Sequence, residues 1–348
     1  MTKSLDHTIQ QVRTTRQLRS KKWTTIVVIL CLLLATVFMV TLSMGQSFTP
    51  PNQVLQVLLG KNVPSASFTV GHLRLPRAVI SMLVGMSFGM AGVAFQIMLR
   101  NPLASPDIIG VSSGASAAAV FAIIMLNMNG SSVAFFSIMT GLLVALAVYA
   151  LSFRHGGVTG TRLILVGIGV SAMIESVIVY LLSQAQSWDR QEAMRWLTGS
   201  VNSAQLDQAY PLLLSLCIFG GLLLSRAREL DALRMGDDTA QALGIRIGLT
   251  RITVMVSAVG LIAVSVAITG PIAFVAFLSG PIAMRLIKNN GSLIVPAGLV
   301  GACLVMVGDY IGQFLLPSRY PVGVVTGALG APYLIYLIIR VNQKGNAL

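Results

Sequence analysis

Charge is what this chain has least of. Only 10% of its 348 residues are Asp, Glu, Lys or Arg, against about 25% in a soluble domain. That is too few to cover a water-facing surface, so a large soluble helical protein is excluded. Cysteine is nearly absent too: Cys31, Cys217 and Cys303 each sit inside an apolar run, with no paired spacing and no metal pattern. The three histidines, His7, His72 and His155, are scattered, so no zinc or haem site can be assembled from sequence neighbours. No G-x-x-x-x-G-K-[ST] phosphate cradle or H-E-x-x-H zinc helix occurs, and the G-x-S-x-G strings, Gly85–Gly89 and Gly110–Gly114, lie inside apolar runs rather than at a strand-to-helix turn. The expectation is a chain that is no enzyme, holds no cofactor and no resident metal, and must borrow an ATPase if ATP drives it.

What is abundant is apolar residue, 55% of the chain, together with 33 glycines. The apolar residues fall in runs of roughly 20, the length a helix needs to cross about 30 Å of hydrocarbon. Small residues such as glycine let helices in lipid approach closely. Ten runs are expected to span, at 23–43, 77–98, 108–127, 133–152, 162–183, 209–225, 251–269, 271–287, 293–314 and 322–340. The first is too long for a signal peptide and has no small-residue cleavage site. The eighth starts at Pro271 and carries Gly280-Pro281, where a helix is expected to be interrupted. The fold class is therefore an all-α polytopic membrane protein of about ten transmembrane helices.

The net charge of +13 need not mean nucleic acid, because cations accumulate in cytoplasmic loops of membrane proteins. With the N-terminus inside, alternation of the ten spans puts eighteen basic residues inside and six outside. The inside set includes Lys3, Arg13, Arg16, Arg19, Lys21 and Lys22 of the tail, and Arg100, Arg154, Arg162, Arg340 and Lys344 further on. The outside set is Lys61, Arg74, Arg77, Arg190, Arg195 and Arg319. Both termini are thus read as cytoplasmic, with residues 1–22 a basic tail, 23–340 the ten-span domain and 341–348 a second tail.

Two segments between spans are long: Gln46 to Leu75 outside, and Arg226 to Thr250 inside. In the latter, Leu230, Leu233, Ala240 and Leu243 alternate with charges, Gly236 and Gly244 are breaks, and Asp237 or Asp238 can cap a helix starting near Thr239. Two short amphipathic helices that dock a soluble partner fit this pattern, and so does a solvated connector. Glu175 and Asp309 are read as the acids within spans, where a charge costs roughly 3 kcal/mol and normally faces a cavity or a partner. Glu175 lies about 20 Å along its helix from Arg162, past the midplane. It either lines a solute path or is paired within the bundle, and Asp309 organises the outer end. The glycine pairs Gly85/Gly89, Gly110/Gly114 and Gly167/Gly169 read as close helix packing.

Several motifs occur together and in order. They are L-R-L-P-R at Leu73–Arg77, G-x6-G-x3-Q from Gly85 to Gln96, R-N-P-L-A-S-P-D-I-I-G from Arg100 to Gly110, and W-L-T-G at Trp196–Gly199. Late in the chain follow Gly270-Pro271, Gly308-Asp309 and the run from Pro321 to Pro332. In this combination the chain resembles the FecCD family, the permease subunits of binding-protein-dependent ABC importers for iron-siderophores, haem and cobalamin. The resemblance covers nearly everything after the first span.

The resemblance implies an inverted repeat, the second to fifth spans against the seventh to tenth, which is not visible in the letters. It implies four partners: a second permease, identical or homologous, two cytoplasmic ATPases and an extracytoplasmic binding protein. The solute path would lie between the two permeases. Asp231, Leu233, Gly236, Asp237, Ala240, Leu243 and Gly244 would form the surface that the ATPase grips. Arg74 and Arg77 would meet carboxylates of the binding protein, although anchoring the span end at the headgroups would also explain them. The chain departs from the family at Pro281-Ile282, where relatives have Pro-His, and at Gln313, where relatives have arginine; Arg319 is the candidate substitute. A ferric siderophore is the first expectation for cargo, with haem or cobalamin as alternatives. A proton-coupled secondary transporter using Glu175, or a structural scaffold, are the readings from other classes.

Overall fold

In hydrocarbon each backbone carbonyl must find its donor inside the protein, which leaves helices as the economical solution for a chain of this composition. The computed structural model describes residues 2–64, 66–153 and 160–345, and among these every regular element is helical. Arg154 and His155 lie outside the described residues, as do residues 346–348 of the C-terminal tail. In chain order the α-helices are α1 (Thr2–Ser43), α2 (Pro51–Leu58), α3 (Leu75–Met98), α4 (Val111–Leu126) and α5 (Ser131–Ser152). They continue with α6 (Gly160–Gln184), α7 (Ser187–Leu197), α8 (Ala209–Ser215), α9 (Gly221–Ser225), α10 (Ala227–Leu233) and α11 (Asp237–Ala242). The last four are α12 (Ile247–Thr269), α13 (Val275–Ile287), α14 (Ile294–Tyr310) and α15 (Val322–Gly345). A π turn joins α8 and α9 into one span, Leu206–Ser225.

Seven of the described helical stretches are long and apolar enough to cross a membrane, and three shorter apolar helices lie at Val111–Leu126, Val275–Ile287 and Val322–Tyr336. Together they occupy the ten expected positions. The first span differs in one respect. Its helix begins at Thr2, because nothing between Thr2 and Ser43 breaks it: the first glycine is Gly45 and the first proline Pro50. The segment before the second span, expected outside, is also not a plain loop, since it contains α2 and a π-helical stretch, Ser67–Arg74, that runs into α3.

The three short helices have a physical cause at two places. The segment after α3 turns back along the bundle, and α4 starts only after Gly110, which takes φ +82°. The segment after α12 does the same from the other end. Gly270 (φ +71°) and Phe274 (φ +63°) break the chain, and α13 starts at Val275. The expected interruption at Gly280-Pro281 is not observed, because α13 runs straight through Pro281. Proline there cannot donate to the carbonyl of Phe277. The side-chain amide of Gln96 on α3 donates to that carbonyl instead, at 3.0 Å. Gly280 leaves the room that the Gln96 side chain occupies.

The core sits around α3, the most enclosed of the seven long spans, with 19 of its 24 residues buried. α3 packs chiefly on α14, then on α13 and α12. The α3–α14 approach is close because Gly85 and Gly89 face Gly301, Ala297 and Gly298 backbone to backbone. α1 lies outside this centre. Leu30, Leu34 and Leu42 join Leu299, Val300 and Met306 of α14 in a second apolar cluster, and the Trp23 indole donates to the Ser292 carbonyl at 2.8 Å.

A Cβ branch at Gly89 would meet the Ala297 carbonyl with no flexible atom to yield. Gly89→Val is therefore expected to cost about 3 kcal/mol or more through overpacking. The measurement is thermal unfolding in detergent. A melting temperature equal to that of the wild type would show that the two helices are not this close.

Candidate functional site

Both ends of α3 carry polar clusters, and a third lines a cavity between them. At the end where α3 begins, the Arg77 guanidinium grips Asp309 of α14 in two bonds, Nε to Oδ2 at 2.6 Å and Nη2 to Oδ1 at 2.8 Å. Arg77 also donates to the Asn202 side chain, which accepts a second bond from Gln313 Nε2 at 2.7 Å. Four segments meet there: α3, the loop after α7, α14 and the π turn that follows it. The side chains of Arg77 and Asp309 are 21% and 11% exposed, so the pair is mostly withdrawn from water.

Arg74 is also committed within the chain. Its guanidinium donates to the carbonyls of Leu42 (2.8 Å) and Ser43 (3.1 Å) in the last turn of α1 and of Ser47 (2.6 Å) just beyond it. It thereby closes the C-terminal end of α1. Arg319 is exposed in the loop before α15 and has no ion-pair or hydrogen-bond partner among the described residues. Of the three arginines expected to face a binding protein, it alone presents a free guanidinium.

At the far end of α3, Asp237 receives two arginines: Arg100, just beyond α3, and Arg251 of α12, each at 2.9 Å. Arg100 can reach it because the backbone there takes φ +49°, and the Asn101 side chain caps the turn by accepting from the Leu103 N–H at 2.9 Å. Glu229 accepts from Arg226 at 2.6 Å and from the Thr250 hydroxyl. Burial opposes ionisation of Glu229, but these donors outweigh it and hold its carboxyl below the ordinary range. Asp231 is pushed up by burial, which Arg234 at 3.8 Å opposes.

The residues expected to form one gripping surface divide in two. Leu233 and Ala240 are buried with Leu230 in the central core. Their place on the exposed surface is corrected: they are the apolar side by which α10 and α11 sit on the bundle. Asp237 is the ionic anchor of the same loop. The outward face is Met235 (60% exposed), Leu243 (62% exposed) and the exposed Gly244, with Gly236 half-buried. Met235 was not expected, and its position directly before a glycine break was the available signal.

The third cluster lies in a cavity of about 740 Å³ bounded by both turned-back segments, the loop after α7 and α15. Asp107 lines it, accepting from Ser105 at 3.0 Å and from Ser112. The sequence reading placed Asp107 one residue outside a span, and the signal was the S-P-D string between two apolar runs. Glu175 lies on the exposed face of α6 and has no hydrogen-bond or ion-pair partner among the described residues. It is not paired within the bundle. Asp309 faces Arg77 at the outer end rather than the cavity.

Comparison with known proteins comes out consistently. Residues 31–340 match the FecCD transport family. The ferric enterobactin transport system permease protein FepG of Escherichia coli (strain K12) is 35% identical over 324 residues, which is 91% of this chain and 97% of that protein. The achromobactin transport system permease protein CbrC of Dickeya dadantii (strain 3937) is 35% identical over 342 residues, 97% of each. Among solved structures, an inward-facing conformation of a metal-chelate type ABC transporter superimposes with a TM-score of 0.81 at 25% identity, covering 91% of this chain and 99% of that one.

Removing one partner of a mostly buried ion pair strands the other charge and costs about 3 kcal/mol. Asp309→Asn is expected to lose about that much stability. Arg77→Gln added to it should cost little more, so the two effects fall short of their sum by at least about 1 kcal/mol. A double-mutant cycle on thermal unfolding in detergent measures this. Strict additivity would mean that the contact carries no energy.

Proposed function

The chain belongs to the FecCD transport family, and on that premise we propose that it is the membrane-embedded permease half of an ABC importer for ferric siderophores. Transport, not catalysis, is its part: ATP hydrolysis belongs to a partner subunit, and a substrate-binding protein delivers the solute. A second permease, identical or homologous, completes the path. The chain resides in the cytoplasmic membrane, and the eighteen-to-six division of basic residues supports cytoplasmic termini. The name of the ferric enterobactin relative supports an iron chelate over haem or cobalamin as the cargo.

The observation that carries this reading is the division of the loop between α9 and α12. Its inward side is packed and ion-paired, while Met235 and Leu243 point out, each directly before a glycine. An apolar pair held out on a rigid base suits a groove on an ATPase. Movement of that base would pass to α3 through Arg100 and Asp237. The two short helices α4 and α13, the third and eighth spans, stand at corresponding places in the two halves, which supports the inverted repeat. Glu175 has no ion-pair partner among the described residues, and an unpaired acid facing lipid is costly. It is assigned to the face that the second permease covers, along the path.

Uptake of a radiolabelled ferric siderophore by cells carrying the variants tests the assignment. Leu243→Asp and Met235→Asp are expected to insert normally and to lower uptake at least about tenfold, by placing a charge in an apolar contact. Co-purification of the ATPase should fall in parallel. Unchanged uptake and co-purification would move the coupling surface elsewhere. Uptake that persists after ATP depletion, with the proton gradient held, would favour a proton-coupled carrier.

A further inference from the structure

We propose that the basic stretch of α1 and the turn between α13 and α14 form a binding site for anionic phospholipid headgroups. The inference rests on the chain spanning a bilayer and not on its cargo. The stretch also precedes residue 31, where the family match begins, so family membership does not account for it.

Depth along the helix places the charges. From Trp23 to Ser43 α1 rises about 30 Å, the thickness of the hydrocarbon layer. Trp23 then stands at one boundary, where indoles concentrate. Lys22, Lys21 and Arg19 follow within about 6 Å, the depth of the headgroup layer. Arg16 and Arg13 continue the stretch to about 15 Å. Gln10 to Lys22 is exposed throughout, and none of these five side chains has an ion-pair or hydrogen-bond partner among the described residues.

The packed neighbours do not neutralise them. α1 packs chiefly on α14, with smaller contacts to α13, α2, α3 and the π-helical stretch Ser67–Arg74. Among these elements the one acid is Asp309, which lies about 22 Å along α14 from Ile294 and is already held by Arg77. Within α1 itself the one acid is Asp6, about two turns before Arg13.

The turn between α13 and α14 fixes the geometry and adds a cation. The Trp23 indole donates to the Ser292 carbonyl at 2.8 Å, and Gly291 leaves the space that its ring occupies. Lys288 comes just before, exposed and without a partner among the described residues. The helix is thereby held beside a turn that carries one more free cation. Ammonium and guanidinium groups pair with a phosphate diester through charge-assisted hydrogen bonds. A zwitterionic headgroup brings its own ammonium into the same cluster and is opposed by it. The general tendency of cations to stay on one side needs no such gathering. Uncompensated cations collected around one interfacial tryptophan select a lipid.

The chain's tryptophans are Trp23, Trp188 and Trp196, so Trp188→Phe with Trp196→Phe leaves the one at the site as reporter. The full chain in phosphatidylcholine vesicles is titrated with brominated phosphatidylglycerol or brominated phosphatidylcholine, and quenching of Trp23 is read. Phosphatidylglycerol should quench at a mole fraction at least about tenfold lower. Lys288→Gln should narrow that ratio by roughly fivefold, and adding Arg19→Gln, Lys21→Gln and Lys22→Gln should bring it close to one. Salt at about 1 M, where screening acts within about 3 Å, should shrink the wild-type ratio as well. Native mass spectrometry of the wild-type chain, released from an equal mixture of the two lipids, repeats the measurement without the tryptophan changes. Equal quenching by the two lipids, equal retention, or a ratio that the four substitutions leave intact overturns the proposal. So does an unchanged ratio accompanied by loss of the co-purifying ATPase, which would give the stretch to that partner.

Discussion

One hydrogen bond holds a helix that the bilayer would otherwise penalise. Pro281 leaves the Phe277 carbonyl without its intrahelical donor, on a stretch of α13 that is buried from Val275 to Pro281. An unpaired carbonyl there costs several kcal/mol. Gln96 on α3 supplies the missing donor, and Gly280 supplies the space. The glutamine and the Gly-Pro pair, 184 residues apart at their nearest, are therefore one structural unit. α13 can stay straight through its proline because α3 is beside it.

The same helix is held at both ends. Arg77 ties its beginning to Asp309, and Arg100, just past its end, reaches Asp237. Over 24 residues, about 36 Å, α3 thus connects the Arg77–Asp309 pair, the broken helix α13 and the loop proposed to meet the ATPase. Glycine contacts with α14 keep it packed along the way. A helix tied at three levels offers a physical route between the two ends of the bundle. The cavity that holds Asp107 lies between the segments that this helix and α13 position.

Much of this was legible in the letters. Runs of roughly 20 apolar residues located all ten helices, because length in lipid is a strong constraint that short-range pattern satisfies. The motifs marked the RLPR segment, and the spacing of the spans marked the long loop at 226–250. What the letters hid was direction. Leu233 and Leu243 look alike in an amphipathic loop, yet one is buried and the other is exposed, and only the packing of α10 and α11 decides which. Arg74 and Arg77 look like free outside cations, but carbonyls at the end of α1 and a carboxylate 232 residues away claim them. Asp107 was missed because a turned-back segment carries it in from a loop, a path that span counting does not follow. Pro281 was read as a break because its rescuer lies on another helix.

The dependence of α13 on α3 can be tested by moving the donor. Gln96→Leu removes it at nearly constant volume and is expected to cost about 2 kcal/mol, the penalty of a buried unpaired carbonyl. Pro281→Ala restores the backbone N–H, so the double variant should recover most of that loss in thermal unfolding of the detergent-solubilised protein. If Gln96→Leu costs nothing, or if Pro281→Ala fails to rescue it, the account of α3 as the helix on which the others rest is contradicted.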